Sequence, residues 1–272
     1  MAKATMIGQI YQPQEETFFD DERPDIDNLR NSPLRVLAAI DDFARTKKYL
    51  MNVGENKGHI ITELIKEVRP QTMVELGAYV GYSCLLFAST LRDVSGKDAR
   101  YLSLERNPEF AAVALTLVHL AGLDDVVTVM VGPSDSSLRR LHASGTIFHI
   151  DLMFLDHFKP AYTTDLKLCE ELKLISPGSV LAADNVIKPG NPPYLEYAAS
   201  TVKVETNGVD SRFLEATANQ YLQREGPAKL SASLRGNPNL VYKSDLVHSF
   251  EPSGVPDGIE ITRCVGEAVG PL

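Results

Sequence analysis

The sequence is poor in cysteine, and the cysteines that it has are badly placed for shared chemistry. Cys84, Cys169 and Cys264 lie far apart and include no Cys-x-x-Cys pair. An odd number of cysteines without that spacing argues against a disulfide framework and against a cysteine-based zinc site. We therefore expect three buried or unreactive thiols in a reducing compartment, which favours the cytoplasm.

Long apolar runs and an excess of basic charge are also absent. No stretch approaches 18 consecutive apolar residues, and the first five residues lack the apolar core of a secretory leader. We therefore expect neither a membrane-spanning helix nor a membrane partner. The 27 lysines and arginines are outnumbered by 36 aspartates and glutamates, which gives a net charge of −9. This balance argues against nucleic acid as the main partner.

What the sequence does contain is an alternation of apolar strands and amphipathic helices, which is typical of an α/β domain. With 272 residues and 44% hydrophobic side chains, the chain can bury a sizeable core. We predict a polar N-terminal arm over residues 1–31 and one domain over 32–272. A segment at about 195–238 fits no strand and is predicted to be an insertion with an amphipathic helix near 211–224.

The ends of the predicted domain have their own patterns. Two helices, at about 33–49 and 57–68, are predicted to precede the first strand, with an irregular loop between them. At the other end, residues 239–243 and 258–265 are predicted to form a closing antiparallel pair.

The domain is organised around the stretch 72–83, which reads as a buried strand, a glycine turn and a helix start. A dinucleotide site would need Gly-x-Gly-x-x-Gly, but Tyr79 replaces the middle glycine and the spacing is Gly77-x-x-x-Gly81. Glu75, near the strand end, would repel a pyrophosphate and attract a cation. The turn therefore favours S-adenosylmethionine, with its ammonium and sulfonium, although an ordinary strand-to-helix turn is the alternative.

Acidic and amide side chains end three further predicted strands. Glu105 ends the second strand, near the ~20-residue spacing at which an acid reaches ribose hydroxyls in nucleotide folds. Asp156 ends the fourth strand, and Asp184 and Asn185 end the fifth. Because ligands bind at the carboxyl edge of an open α/β sheet, we expect these side chains to converge on one crevice.

Two of these carboxylates and one amide make a hard, incomplete oxygen site. Such a set, from Asp156, Asp184 and Asn185, suits Mg²⁺, which keeps places for water or substrate. Lys159 would lie beside the metal, where the dication would lower its affinity for a proton and make it a candidate general base. Taken alone, an Asp-x-x-Lys pair is more often a surface ion pair and Asp-Asn after a strand is more often a turn, but their coincidence at adjacent strands favours a site.

Four ordered motifs carry a resemblance to a known family. They are Met51-Asn-Val-Gly, Glu75-Leu-Gly-Ala-Tyr-Val-Gly-Tyr-Ser, Phe154-Leu-Asp-His-Phe-Lys and Ala183-Asp-Asn-Val-Ile-Lys-Pro-Gly. The chain resembles catechol O-methyltransferase from about residue 32 to 197, and again near its C-terminus. This resemblance implies a single Rossmann-like class I methyltransferase domain. Its sheet would be seven-stranded and mostly parallel, with an antiparallel C-terminal hairpin and two N-terminal helices.

The resemblance also implies a role for each matching residue. The general base would be Lys159, and Mg²⁺ would be held by Asp156, Asp184 and Asn185. S-adenosylmethionine would be bound by Val53, Glu75, Tyr79 and Ser83 around its methionine part, by Glu105 at its ribose, and by Arg106, Ser134 and His157 towards its adenine. Gly77, Tyr82 and Asp156 would be further residues of the cofactor site. The catechol would be bound by Tyr49, Met51, Phe158, Asn185, Pro189 and, less directly from the alignment, Glu251.

The chain departs from the family pattern in three places. Tyr49 and Phe158 stand where the family has two tryptophans that flank the catechol ring, Asp135 stands where glutamine is usual, and the segment 195–238 is longer. Smaller rings should leave more room for bulky substituents and hold a small catechol more weakly. We expect these departures to alter the choice of substrate rather than the cofactor or metal chemistry.

The sequence thus predicts Mg²⁺-dependent transfer of methyl from S-adenosylmethionine to one hydroxyl of a small-molecule catechol, by a monomer or weak dimer. A close alternative is a methyltransferase for catechol-bearing acyl esters or larger natural products. Two alternatives from other classes are a nucleotide-fold oxidoreductase and a catalytically silent cofactor-binding protein. Tyr79 in the glycine turn argues against the first, and the intact set of Asp156, Lys159, Asp184 and Asn185 argues against the second.

Overall fold

A computed structural model describes residues 26–199 and 233–268 of the chain. The predicted N-terminal arm therefore lies outside the described residues except for 26–31. Most of the predicted insertion, including its helix near 211–224, also lies outside them.

Seven strands form one sheet, and its central strands are parallel. They are β1 (Thr72–Leu76), β2 (Arg100–Glu105), β3 (Val127–Val131), β4 (Leu152–Leu155), β5 (Val180–Ala183), β6 (Leu240–Phe250) and β7 (Pro256–Glu267). Their order is β3-β2-β1-β4-β5-β7-β6, with β1 to β5 parallel and β7 antiparallel to both of its neighbours. This confirms the predicted mostly parallel sheet with an antiparallel C-terminal hairpin.

Helices cover both faces of the sheet. Those in the described residues are α1 (Ile26–Leu29), α2 (Pro33–Thr46), α3 (Gly54–Val68), α4 (Tyr82–Ser95), α5 (Pro108–Ala121), α6 (Ser134–Ala143), α7 (Ala161–Glu171) and α8 (Pro192–Ala199), together with a tight turn at Val186–Gly190. The two predicted N-terminal helices correspond to α2 and α3, and the single turn α1 precedes them.

Three boundaries differ from the prediction. Helix α3 begins at Gly54 rather than near residue 57. Gly58 lies within it and lets the helix approach α4, since a Cβ there would lie 2.7 Å from Leu86 Cδ2. Strand β6 continues to Phe250, whereas its end was predicted at residue 243, because the exposed polar residues of its second half do not show a strand pattern. Helix α8 was not predicted because it starts with two prolines, although proline is favoured in a first helical turn.

Two apolar clusters fill the space between the sheet and its helices. Alternate residues of β1 point to opposite faces, so that Met73 packs towards α2 to α5 while Val74 and Leu76 pack towards α6 to α8. The inner strands are buried on both faces, as expected for a parallel sheet covered by helices. The three cysteines are free and buried, as predicted. No helix in the described ranges is long and apolar enough to cross a membrane.

The strand order creates a switch point between β1 and β4. The connection after β1 leads outward to β2 and β3, whereas the connection after β4 leads the other way to β5. The loops that follow β1 and β4 therefore part and leave a crevice at the carboxyl edge, where ligands of open α/β sheets bind.

Candidate active site

A cavity of about 1220 Å³ lies at this edge of the sheet. It exceeds the ~300–1,000 Å³ usual for one drug-sized ligand, so it has room for two. The structure brings every predicted site residue except Glu75 to its wall. Those residues are Tyr49, Met51, Val53, Gly77, Tyr79, Tyr82, Ser83, Glu105, Arg106, Ser134, Asp156, His157, Phe158, Lys159, Asp184, Asn185, Pro189 and Glu251.

The turn after β1 depends on two glycines with positive φ. Gly77 has φ 93°, and a Cβ there would lie 2.6 Å from the carbonyl oxygen of Asp156. Gly81 has φ 95°, and a Cβ there would lie 2.9 Å from Ala114. Both glycines therefore allow close packing of the turn against the protein itself. Tyr79 also has positive φ, 49°, and its side chain lines the cavity between them.

Glu105 ties this turn to the end of β2. Its Oε2 accepts hydrogen bonds from the backbone N–H groups of Ala78 at 3.0 Å and Tyr79 at 2.8 Å, and its Oε1 accepts from Asn107 N–H at 2.7 Å. The carboxylate also lines the cavity. Glu105 therefore shapes the turn and also offers an acceptor to a ligand.

Glu75 lies beneath the cavity rather than on its wall. It is fully buried, accepts a hydrogen bond from Ser83 Oγ at Oε1, and accepts one from Ser103 Oγ at 2.6 Å at Oε2. Burial raises the pKa of Glu75 to about 7, although the hydrogen bonds from Ser103 and Ser83 oppose the rise. Ser83 lines the cavity, so it is the residue that connects Glu75 to any ligand there.

Two buried acceptors on the wall lack a hydrogen-bond partner among the described residues. They are Asn52 Oδ1 and His157 Nδ1. His157 Nε2 lies 2.9 Å from Asp165 Oδ2, which also accepts from Ser134 Oγ at 2.5 Å. With a carboxylate as its partner, Nε2 carries a proton, and in that neutral tautomer Nδ1 is an acceptor. A ligand with N–H donors at separate points, such as the ammonium and adenine amine of S-adenosylmethionine, would satisfy both atoms.

Lys159 is held in one position after β4. Its Nζ donates to Asp156 Oδ1 at 2.8 Å and to Tyr162 OH at 2.7 Å, and it lies 5.0 Å from the centre of the Tyr162 ring. Only 2% of the residue is exposed, yet it lines the cavity. The amine is therefore fixed where it can meet a ligand but little water.

Asp184 is paired with a buried lysine on α3. Its Oδ1 and Oδ2 accept from Lys57 Nζ at 2.6 and 2.9 Å. Burial, and after it the negative charge of Asp156, raises the pKa of Asp184, while Lys57 and Lys159 oppose the rise. Two carboxylates that repel each other across the cavity form a place where a cation would be favoured.

Asn185 contributes an amide oxygen next to this pair. Its Nδ2 donates to Glu251 Oε1 at 2.6 Å and to Asp257 Oδ2 at 2.9 Å. No cluster of three His, Cys, Asp or Glu side chains suited to a metal occurs in the described part of the chain. A metal here would therefore need the Asn185 oxygen together with Asp156 and Asp184, and two carboxylates with one amide oxygen fit a hard cation such as Mg²⁺.

The remaining wall is partly open. Tyr49 is 58% exposed and Met51 is 41% exposed, and both line the cavity with Phe158 and Pro189. The side chain of Glu251, between β6 and β7, is 20% exposed. An aromatic wall this accessible leaves space beside a small ring.

Sequence reasoning missed Lys57, Asp165 and Asp257. Lys57 had a local signal, because it lies one turn before Ile61 on the buried face of α3, where a lysine is out of place. Asp257 had none, since its side-chain partner Asn185 is 72 residues away. Asp165 lies between two predicted residues, Ser134 and His157, but only the fold brings the three together.

Comparisons with known proteins agree on one family. The family model described as O-methyltransferase matches residues 35–204. Catechol O-methyltransferase of Bos taurus is 41% identical over 183 residues, which is 67% of this chain and 66% of that protein, and the Mus musculus enzyme of the same name is 40% identical over 173 residues, 64% of each. The chain therefore matches slightly less than two thirds of the length of these relatives.

Solved structures show the same fold. An O-methyltransferase from Bacillus cereus in complex with SAH aligns with a TM-score of 0.58 and 19% identity, over 85% of this chain and 90% of that one. At this identity the likeness bears on the fold alone.

Proposed function

The chain belongs to the O-methyltransferase family, and from this premise we propose that it transfers a methyl group from S-adenosylmethionine to one hydroxyl of a catechol, with Mg²⁺ bound. The observation that carries the proposal is the meeting of Asp156, Lys159, Asp184 and Asn185 on one cavity with the glycine turn. The four polar side chains suit a diphenol chelated to a metal, and the glycine turn suits a ligand without phosphates.

S-adenosylmethionine would occupy the part of the cavity between the glycine turn and α6. The ammonium would pair with Asn52 Oδ1 and Ser83, the ribose hydroxyls with Glu105, and the adenine amine with His157 Nδ1. The two unpaired acceptors support this orientation, because leaving them buried and unsatisfied would cost about 1–3 kcal/mol each.

Asp156, Asp184 and Asn185 would hold Mg²⁺, and the catechol would bind beside them. Bound there, the metal would supply positive charge that favours the deprotonated form of the catechol hydroxyl. Glu251 would accept a hydrogen bond from the second hydroxyl, while Tyr49, Met51, Phe158 and Pro189 would flank the ring.

The proposed reaction transfers a proton from the catechol hydroxyl to Lys159 and a methyl group from sulfur to the catechol oxygen. Lys159 Nζ, as the neutral amine, accepts the hydroxyl proton. The catechol oxygen forms a bond to the methyl carbon as the carbon–sulfur bond breaks, and the electron pair of that bond stays on sulfur. Holding oxygen and methyl in line can contribute up to about 7–11 kcal/mol to the lowering of the barrier.

A second candidate substrate class is favoured by the size of the cavity. A volume of about 1220 Å³ and a wall with Tyr49 58% exposed leave room for a catechol that carries an acyl ester or a larger natural-product skeleton. We also propose the cytoplasm as the compartment, which the three buried free thiols support, and a monomer or weak dimer as the assembly.

A comparison of phenols that differ only in their hydroxyls tests the function. The protein is incubated with S-adenosylmethionine and either 1,2-, 1,3- or monohydroxybenzene, with Mg²⁺ or with chelator, and methylated products are measured by mass spectrometry. We expect one methyl group on the 1,2-diphenol, only with Mg²⁺, and little product from the others. Equal turnover of all three phenols, or turnover in chelator, would refute the proposal. Tight binding of NAD would instead support an oxidoreductase.

A further inference from the structure

A buried charged cluster lies directly behind the proposed metal ligands. Its centre is Lys57 on α3, which is fully buried. Lys57 Nζ lies 2.6 Å from Asp184 Oδ1, 2.7 Å from Glu251 Oε1 and 3.2 Å from Asp257 Oδ2. These three carboxylates follow β5, join β6 to β7, and lie on β7. One ammonium therefore ties together three parts of the fold at the edge of the cavity.

Asp257 is the second centre of this cluster, and it holds the turn that follows Asn185. Its Oδ1 accepts from the backbone N–H groups of Ile187 at 3.2 Å and Lys188 at 2.9 Å, and its Oδ2 accepts from Asn185 Nδ2 at 2.9 Å and from Lys57. The residue is 1% exposed. A single buried carboxylate thus receives four donors, and three of them belong to residues 185–188.

These contacts decide which way the Asn185 amide points. Both partners of its amide group, Glu251 Oε1 and Asp257 Oδ2, are carboxylate oxygens. Only the NH₂ end of the amide can donate to them, so the oxygen is directed elsewhere. Asn185 also has φ 57°, a conformation that a non-glycine residue keeps only when its surroundings hold it.

We propose that Lys57 and Asp257 are positioning residues, which hold Asp184, Asn185 and Glu251 in the orientation that the cation and the catechol require. The inference rests on the proposed function, because it gives these three residues their ligands. Lys57 acts through Asp184 and Glu251, and Asp257 acts through Asn185 and its turn. Neither Lys57 nor Asp257 lines the cavity, so neither is placed to touch a ligand itself.

A purely stabilising role is the competing explanation, and the charges argue against it. Buried ion clusters contribute little net stability, because desolvation offsets most of the attraction. Here one buried lysine is shared among three carboxyl groups, so that Lys57 is not matched to any single partner. Such an arrangement is better explained by an adjacent cation and by fixed ligand geometry than by stability.

The chain offers a matched control for this distinction. Glu170 is 2% exposed and accepts from Tyr197 OH at 2.6 Å, Tyr242 OH at 2.7 Å and Asn237 N–H at 2.8 Å. It does not line the cavity. Replacing it removes a buried carboxylate that accepts three hydrogen bonds and has no contact with the proposed ligands.

The test compares Asp257→Asn and Lys57→Met with Glu170→Gln in the full chain. Affinity for Mn²⁺ is measured by electron paramagnetic resonance, and affinity for S-adenosylmethionine by calorimetry in chelator. The ratio of the two monomethyl products is measured with 3,4-dihydroxybenzoate. In the first two variants we expect Mn²⁺ to bind at least tenfold more weakly, the cofactor to bind within twofold of wild type, and the product ratio to move towards one. Glu170→Gln should lower the melting temperature only.

Each outcome decides the proposal. Folded Asp257→Asn and Lys57→Met proteins with wild-type Mn²⁺ affinity and product ratio would overturn it. So would failure of both variants to fold while Glu170→Gln folds, because the cluster would then be structural. If the wild-type protein methylates no catechol, the proposed function fails, and the Mn²⁺ titration still decides the positioning role separately.

Discussion

The two halves of the cavity are built from contacts of very different range along the chain. In the proposed cofactor half, which includes the turn 77–83 and Glu105, the Glu105 carboxylate accepts from backbone N–H groups no more than 27 residues away. In the metal half, formed by Asp156, Lys159, Asp184, Asn185 and Glu251, the contacts of Lys57 span 127 to 200 residues. The contacts of Glu105 therefore lie within a local unit of strand, turn and helix, whereas those of Lys57 connect α3 to the end of β5 and to the C-terminal hairpin.

The two halves also differ in the kind of group that fixes their structure. Backbone N–H groups and glycines shape the cofactor half, and buried side-chain charges shape the metal half. We therefore expect substitutions to separate the two, with losses of catalysis on one side and losses of cofactor binding or stability on the other.

The largest effect should follow from Lys159→Ala in the metal half. Removing the proposed base should lower kcat by about 10²- to 10⁴-fold, while affinity for S-adenosylmethionine in chelator stays within twofold. Steady-state kinetics and calorimetry measure the two quantities. Lys97→Ala, at an exposed lysine that does not line the cavity, is the control. Equal losses of kcat and cofactor affinity would make Lys159 a structural residue and break the separation of the halves.

Gly77→Ala should disturb the contact between the two halves, because Gly77 in the turn packs against Asp156. A methyl group there would lie 2.6 Å from the backbone oxygen of Asp156 at a φ of 93°, so we expect a loss of about 2–5 kcal/mol in the free energy of unfolding and a loss of cofactor binding. Gly178→Ala has a similar φ, 101°, but no atom within 4 Å. It should cost only about 1–2 kcal/mol in denaturant unfolding. Similar costs at both positions would show that the close approach is unimportant.

Glu75→Gln should change how stability depends on pH. Because burial raises the pKa of Glu75 from 4.5 to about 7, wild type keeps full stability from this group below about pH 4.5 and loses it as pH rises through about 7. The loss approaches about 3 kcal/mol at most. Glutamine does not ionise, so the variant should gain relative to wild type between pH 5 and pH 8 in urea unfolding. Parallel curves over this range would mean that the pKa of Glu75 is the same in the folded and unfolded states, so that burial does not raise it.

The smallest effect should be a change in KM caused by a substitution in the aromatic wall, which contains Tyr49 and Phe158. Phe158→Trp adds ring area beside a small catechol and should lower its KM about two- to tenfold, with a weaker effect on bulky catechols. Phe148→Trp, at a ring that is 73% exposed and does not line the cavity, should leave both KM values unchanged. An equal effect of Phe158→Trp on small and bulky catechols would remove the argument for a widened pocket.

The same difference in range explains what the sequence could predict. The succession of strands along the chain, the glycine turn and the acids at strand ends were readable, because each depends on a few neighbouring residues and on one rule about sheet edges. The contacts of Lys57 and Asp257 were not, because no local pattern relates α3 or β7 to the end of β5, even though a lysine on the buried face of α3 is itself a local signal. Glu75 is a mixed case: its place at the end of β1 was predicted, but its burial beneath Ser83 depends on Ser103 from the neighbouring strand.

The boundaries that were wrong have related causes. Gly54 and Gly58 resemble loop residues, but α3 uses Gly58 to approach α4. The polar residues of β6 resemble a loop because an edge strand faces solvent. In each case a tertiary contact, rather than local propensity, decided the structure.

Calorimetry of S-adenosylmethionine binding, followed by catechol binding, tests the separation of the two halves most directly. The account predicts that S-adenosylmethionine binds in chelator with an affinity within about threefold of that measured with Mg²⁺, because its site is formed by residues 52–105, Ser134 and His157. A catechol should then bind only when Mg²⁺ is present. No binding of S-adenosylmethionine in chelator, or equal binding of the catechol with and without Mg²⁺, would contradict it.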